Sequence, residues 1–359
     1  VINDTSPIWT QVPSELKDED YVAFYKTLYP HAPEPLFWIH LNVDYPFNLT
    51  GVLYFPQELS QFEQRKPQIQ LYSKQVFITD EIKGIVPEFL MLLHGVIDSP
   101  DIPLNVSRSA LQADSNVKKI NTYITKKVAD KLEELFQKDR EAYEKHWESI
   151  ASFVKYGMLT EDKFYDKAQD FVLLKNIEGT YFTLTAYQDK VKSTQTDKEG
   201  HLVLLYTEDP DRQDFYIQAC KKQGYDMLVL DQPIDKHFVG LLERKMDKVR
   251  LKGVDADHIG QLIDKGPATE SALSEEAQKQ LQEIYEKAVE GHHATWSVAP
   301  MQADELPIVV TIPEFVKRMR DDARGPMSKL AMLPLQATIN VNHPLSAKIL
   351  QVTKEEQQH

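Results

Sequence analysis

A chain of 359 residues with 42% apolar side chains exceeds one ordinary hydrophobic core and has the material for two or three compact units. Its 55 acidic against 41 basic residues give a formal charge of -14, which argues against broad nucleic-acid or anionic-membrane binding and favours solubility. The single cysteine, Cys220, rules out an internal disulfide framework and a cysteine metal site, so a reducing cytoplasm is the expected compartment. A small, buried apolar role suits that thiol. No apolar run approaches the roughly 18 residues that span a bilayer, and residues 1–9 lack the charged and apolar parts of an export signal. With no export expected, the acceptor patterns at Asn48 and Asn105 are coincidental. The missing initiator Met points to a fragment or a processed chain.

In chain order, residues 18–29 place Tyr21, Phe24, Tyr25 and Leu28 at helical spacing. Residues 36–43 and 49–55 are aromatic and branched, and Asp44, Tyr45, Pro46 and Pro56 bound them, which predicts a strand pair with a short connection. One or two further strands fit between Gln68 and Ile78. The apolar run 89–93 reads as another strand, leading through Asp98, Ser99, Pro100, Asp101 and Pro103 in a structured turn to a helix starting near Ser109.

Arg108 stands on that connection, just ahead of the helix. A guanidinium beside free N–H groups and the positive end of a helix dipole suits an anion such as a phosphate. Gln112, one helical turn later, points the same way. The alternative is an exposed ion pair with Asp98 or Asp101, of the kind that contributes little.

From Asn116 onward Val117, Ile120, Ile124, Val128, Leu132, Leu135 and Phe136 recur every three or four residues, and Trp147, Ile150 and Phe153 continue a second stripe. Such stripes are core packing. A second α/β unit follows, with a strand at 202–206, a helix at 211–223 stopped by Gly224, and a strand at 227–230. That spacing implies a parallel pair joined by a right-handed crossover. Asp231 and Asp235 lie at the strand's C-terminal end, where open parallel sheets often bind ligands. They have no histidine, third carboxylate or glycine-rich loop beside them, and a plain turn is the simpler reading.

Beyond Arg244 the chain turns charged, and the polar stretch 265–276 reads as a linker or domain boundary. Ser274 caps a helix carrying Leu281, Ile284, Tyr285 and Val289, which Gly291 ends. Adjacent His292 and His293 project differently and have no second ligand pair, so no metal site is expected. A strand at 308–312, an amphipathic helix from Pro313 bearing Phe315, Val316 and Met319, and an alternating strand at 335–341 complete the chain.

The segment LYSKQVFITDEIKGIVPEFLMLLH, residues 71–94, and the following GVIDSPDIPLNVSRSALQ, residues 95–112, resemble the middle domain of the ninety-kilodalton heat-shock protein chaperones, most like their bacterial form. Residues 306–319, LPIVVTIPEFVKRM, and 337–345, ATINVNHPL, resemble the same family's C-terminal domain. The resemblance implies an α/β (α+β) architecture: a large α/β subdomain at 1–125, a helical connector at 126–175, a small α/β subdomain at 176–248, and at 249–359 a C-terminal domain without its dimerisation helices.

It also implies that Arg108 and Gln112, with Asn105 and Ser107 setting their reach, meet ATP bound with Mg in a separate N-terminal domain. Ser109 departs from the acidic residue usual in the family. Phe315, Met319, Met327 and Met332 correspond to a surface for unfolded or partly folded client proteins, where flexible, polarizable side chains repack against many partners. No Walker loop or GxGxxG fingerprint occurs here, so ATPase activity is expected of the full-length protein and not of this chain alone. The implied protein is a cytoplasmic, ATP-dependent stress chaperone that dimerises through helices outside this chain, leaving the fragment a monomer or weakly associated. Two other readings stay open: an independent α/β hydrolase acting through Asp231 and Asp235, and a passive structural or holdase scaffold.

Overall fold

The computed structural model describes residues 6–57, 68–80, 82, 86–103, 114–265, 270–289, 294–322 and 335–357. The chain divides into two compact units, Val1–Leu173 and Leu174–His359.

In the first unit, helix α1 (Asp18–Leu28) opens with three acidic residues in its first turn, favourable at the positive end of the helix dipole. Strands β1 (Phe37–Val43), β2 (Leu49–Phe55), β3 (Gln68–Ser73), β4 (Val76–Thr79) and β5 (His94–Asp98) form one sheet in the order β1-β2-β5-β3-β4. β5 pairs antiparallel with β2 and parallel with β3. One face, through Val52, Tyr54 and Val96, packs against Trp9, Tyr21 and Tyr25. Phe55 alternates to the opposite face. There it meets Phe153 at a ring-centroid distance of 5.0 Å. Phe153 belongs to the helical layer of α2 (Ser115–Lys138), α3 (Arg140–Thr160) and α4 (Asp162–Ala168). The predicted stripes are buried from Val117 to Leu132 and at Trp147, Ile150 and Phe153, as core packing requires.

The strand expected at 89–93 is not one. Glu88–Leu92 form a 3-10 turn, and the strand begins at His94. Phe89, Leu90 and Leu93 still reach the interior, so their apolarity reports burial rather than strand geometry. β5 lies between two strands with all five residues buried, and its composition reflects close approach. Gly95 has φ +135°, and a Cβ there would lie 2.0 Å from the Val52 carbonyl oxygen, so only glycine fits.

The second unit starts with a short pair, β6 (Leu174–Lys175) and β7 (Tyr181–Phe182), and helix α5 (Leu184–Val191). Strand β8 (Leu202–Thr207), helix α6 (Asp214–Lys222), strand β9 (Met227–Val229), helix α7 (Asp235–Lys245) and strand β10 (Val249–Gly253) build an all-parallel sheet in the order β10-β8-β9. The predicted parallel pair is present, and Gly224, at φ +72°, follows α6 as its stop. Residues 249–253, which the sequence placed in the following domain, pair with β8 in this sheet. Val249, Leu251 and Gly253 are buried while Arg250 is exposed, a period-two pattern masked by its charges. Cys220 is wholly buried in this core, and desolvation pushes its thiol up to about 12, leaving it an inert packing group.

After the single turn α8 (Ile259–Leu262), Ser274 caps α9 (Glu275–Ala288) by accepting from the Ala277 N–H at 3.3 Å. Strands β11 (Ala294–Ala299) and β12 (Ile308–Thr311), helix α10 (Glu314–Asp322), strand β13 (Leu335–Asn340) and helix α11 (Pro344–Gln357) follow. The sheet order is β11-β13-β12, with β11 parallel and β12 antiparallel to β13. Leu281, Ile339, Val341 and Leu350 form its core with Trp296 stacked on Tyr285 at 5.7 Å. Gly291, His292 and His293 lie outside the described residues.

Candidate functional site

Arg108 and Gln112, with Asn105, Ser107, Ser109 and the helix start expected there, fall within residues 104–113, outside the described residues. The root from which that segment departs is described. The Asp98 carboxylate, at the end of β5, accepts hydrogen bonds through Oδ2 from the Trp9 indole N–H at 3.2 Å and the Gln75 N–H at 2.8 Å. The Ser99 N–H donates to the Tyr72 carbonyl at 3.1 Å, and its hydroxyl donates to the Asn48 carbonyl at 2.6 Å. Asp101 accepts from the Asn48 N–H at 2.6 Å. Ile102 is buried. On the far side, Asp114 caps α2 through the N–H groups of Asn116 and Val117 at 2.8 and 3.0 Å.

The turn foreseen through Asp98, Ser99 and Asp101 is therefore a stitched strand exit. Both aspartates that the sequence offered as partners for Arg108 have structural duties that need no arginine. Burial and the nearby Asp98 carboxylate raise the pKa of the Tyr72 hydroxyl, which stays neutral beside it.

Asp231 and Asp235 do not form a paired site. Asp231 is exposed, whereas Asp235 is buried in the first turn of α7 and accepts from the Gln232 N–H at 3.1 Å. Among the described residues, one group of three potential metal ligands occurs, Asp197, Glu199 and His201. Arg250 already balances it, with nitrogens 3.7 Å from Asp197 and 3.2 Å from Glu199. That filled cluster does not fit a Mg site.

Helix α10 carries the other candidate surface. Phe315 is 62% exposed, while Val316 beside it is buried, so the two residues read as one apolar stripe face different ways. The Met319 side chain and Met327 and Met332 lie outside the described residues. What the sequence did not suggest is the charged seam behind Phe315. Lys317 forms a buried ion pair with Asp255. Arg318 forks onto Glu243 at 2.6 and 3.2 Å and reaches Glu314 at 3.1 Å, bonds that raise its pKa further and keep it charged. Glu314 in turn accepts from Tyr206 at 2.8 Å and from the Gly253 N–H at 2.9 Å. The seam fastens α10 to β8, α7 and β10 through partners up to 108 residues away, which no local pattern announces.

These layers place the molecule among heat-shock-protein middle domains by fold. The middle domain of a Plasmodium falciparum heat shock protein matches with a TM-score of 0.55 at 23% identity, covering 70% of this chain and all of that one. The chain belongs to the Hsp90 family: the family model described as Hsp90 protein matches residues 1–357. The chaperone protein HtpG of Porphyromonas gingivalis is 48% identical over 361 residues, 99% of this chain and 53% of that protein. HtpG of Bacteroides thetaiotaomicron is 47% identical over 357 residues, 98% of this chain and 52% of its own length. The chain thus spans about half the length of the curated relatives it matches.

Proposed function

We propose that this chain supplies the middle segment and part of the C-terminal segment of an ATP-dependent, cytoplasmic chaperone. In this reading Arg108 reaches out to ATP held with Mg by a domain outside these residues. Its guanidinium would stabilise the charge that develops on the γ-phosphate oxygens, and Gln112 would hydrogen-bond beside it. Asn105 and Ser107 would set the reach of both. The observation that carries the reading is the stitched root: β5 leaves the sheet fixed on three sides and delivers the chain directly into the arginine-bearing segment. Membership of the Hsp90 family supports it.

The four parts follow the resemblance with one boundary moved: a large α/β subdomain at 1–125, a helical connector at 126–175, a small α/β subdomain expected at 176–248 that β10 extends to Gly253, and a C-terminal part beyond it. The exposed Phe315, with Met319, Met327 and Met332, would contact unfolded client proteins, and the full protein would act as a homodimer. Nothing favours the hydrolase alternative, since its two aspartates are split between solvent and a helix turn. A passive scaffold is separated from the proposal by adding this chain to the separately expressed N-terminal domain. Stimulated ATP turnover supports the proposal, and unchanged turnover returns the scaffold reading.

A further inference from the structure

Resting on the reading of Phe315 as a client contact, we propose that Glu314 is an autoinhibitory latch. Seated in the ligand crevice of the small parallel sheet, it holds α10 down and limits the apolar surface a client meets. The sheet order β10-β8-β9 reverses direction at β8, because the chain runs from β8 to β9 on one side and then crosses to β10 on the other. Open parallel sheets take their ligands at the carboxyl ends of the strands flanking such a reversal, here β8 and β10. Tyr206 and Gly253 face each other in register at that end. The Glu314 carboxylate spans them: Oε1 accepts from the Tyr206 hydroxyl at 2.8 Å and Oε2 from the Gly253 N–H at 2.9 Å. Arg318, one turn on, donates to Oε1 at 3.1 Å and carries the contact to Glu243 of α7. The helix thus supplies the crevice with an anion of its own.

The latch has a hinge. β12, which leads into α10, is fixed to the same subdomain near its end: the Ile312 N–H donates to the Asp255 carbonyl at 2.9 Å, and the Val310 carbonyl accepts from the Tyr216 hydroxyl. Pro313 follows, so α10 swings about a point that stays put when Glu314, Lys317 and Arg318 let go. What holds the helix beyond that point is chiefly charge, the carboxylates of Glu243, Asp255 and Glu314 against Lys317 and Arg318. Such a seam opens at modest cost, because on opening every partner returns to water, whereas a substitution strands one partner in the interior. Opening uncovers Val316, 2% exposed beside the 62% exposed Phe315. Closed, α10 offers Phe315 alone among the apolar side chains described on it; open, it offers Phe315 and Val316 together. A client that binds the open form better therefore competes with Glu314 in its crevice.

The test uses the full-length protein and two variants that reach the latch from opposite sides. Tyr206→Phe keeps the ring and removes the hydroxyl, and Glu314→Gln keeps one acceptor oxygen and removes the charge. Hydrogen exchange of peptides covering 311–318 reads the latch. The dissociation constant for reduced, carboxymethylated α-lactalbumin, a permanently unfolded probe, reads the client surface. The expected result in both variants is exchange at least about fivefold faster over 311–318 and a probe bound about fivefold more tightly, with exchange over α9 and β13 unchanged. Phe315→Ser added to either variant should cancel the gain in affinity. Unchanged exchange over 311–318 in the folded variants overturns the latch. Faster exchange with a probe affinity at or below that of wild type overturns its control of the surface, as does a gain that survives Phe315→Ser. Phe315→Ser in the otherwise wild-type protein separates the two claims. If it binds the probe as well as wild type, the client reading of Phe315 fails and this proposal with it. If it binds more weakly while the latch variants exchange as wild type, only the latch fails.

Discussion

Replacing Lys317 by Met tests the charged seam behind α10. The Lys317 and Asp255 side chains are only 9% and 11% exposed, so their ion pair is largely out of water. Methionine keeps the aliphatic stem but leaves the Asp255 carboxylate buried without its partner, which costs about 3–5 kcal/mol. It also removes the ammonium lying 5.9 Å from the Tyr206 ring centroid. The Lys317→Met/Asp255→Asn double variant discards both charges together and should recover most of that loss, because the single variant's cost is chiefly the uncompensated carboxylate. Urea unfolding of the chain gives the magnitudes, and hydrogen exchange of peptides covering 249–255 and 308–318 places the loss at the seam. A single variant within about 1 kcal/mol of wild type, or a double variant worse than the single, would refute the reasoning.

Gly95→Ala puts a Cβ 2.0 Å from the Val52 carbonyl at φ +135°, and strain plus overpacking should cost roughly 3–5 kcal/mol in the first unit; a urea midpoint matching wild type would contradict the packing of β2 on β5. Burial holds the His40 imidazole below its ordinary pKa, while its Nδ1 shares a 2.8 Å hydrogen bond with the Tyr21 hydroxyl. The unfolded chain takes up that proton near pH ~6.5 and the folded chain resists it, so the contribution is complete above that pH and is lost as pH falls through it toward the lower folded value. Urea titrations at pH 7 and pH 5 should show a smaller acid loss in His40→Gln, and an identical loss would remove His40 as the cause. Phe315→Ser should leave stability within about 0.5 kcal/mol, since the ring is 62% exposed, yet weaken suppression of client aggregation; undiminished suppression would take Phe315 out of the client surface.

Much of the fold was legible because it is written in local periods. β1 alternates and β2 is a short aromatic and branched run, the α2 stripe repeats every three or four residues, and Gly224 marks the turn that lets β9 return parallel to β8. What escaped was set by partners rather than by pattern. The run 89–93 is as apolar as a strand but packs from a 3-10 turn, whereas β5 carries a glycine where Val52 of β2 approaches and a histidine that hydrogen-bonds the Tyr25 hydroxyl. β10 hid its alternation behind Arg250 and Lys252, and β11 went unrecognised after the His292–His293 pair.

The site was legible in the same uneven way. Asp101 lies in a turn as expected, whereas Asp98, read into the same turn, closes β5; their donors, Trp9, Gln75 and Asn48, are far off in sequence. The amphipathic pattern from Pro313 drew attention to Phe315, Val316 and Met319 and not to Lys317 and Arg318, and only Asp255 and Glu243 explain why one of these is buried and the other forked.

The central claim is that Arg108 completes a phosphate site built elsewhere in the protein. Its most direct test is ATP turnover by the full-length Arg108→Ala variant at saturating nucleotide, with nucleotide affinity measured on the same preparation. The account predicts a loss of at least about a hundredfold in kcat with affinity within about twofold of wild type. Turnover at the wild-type rate would contradict it.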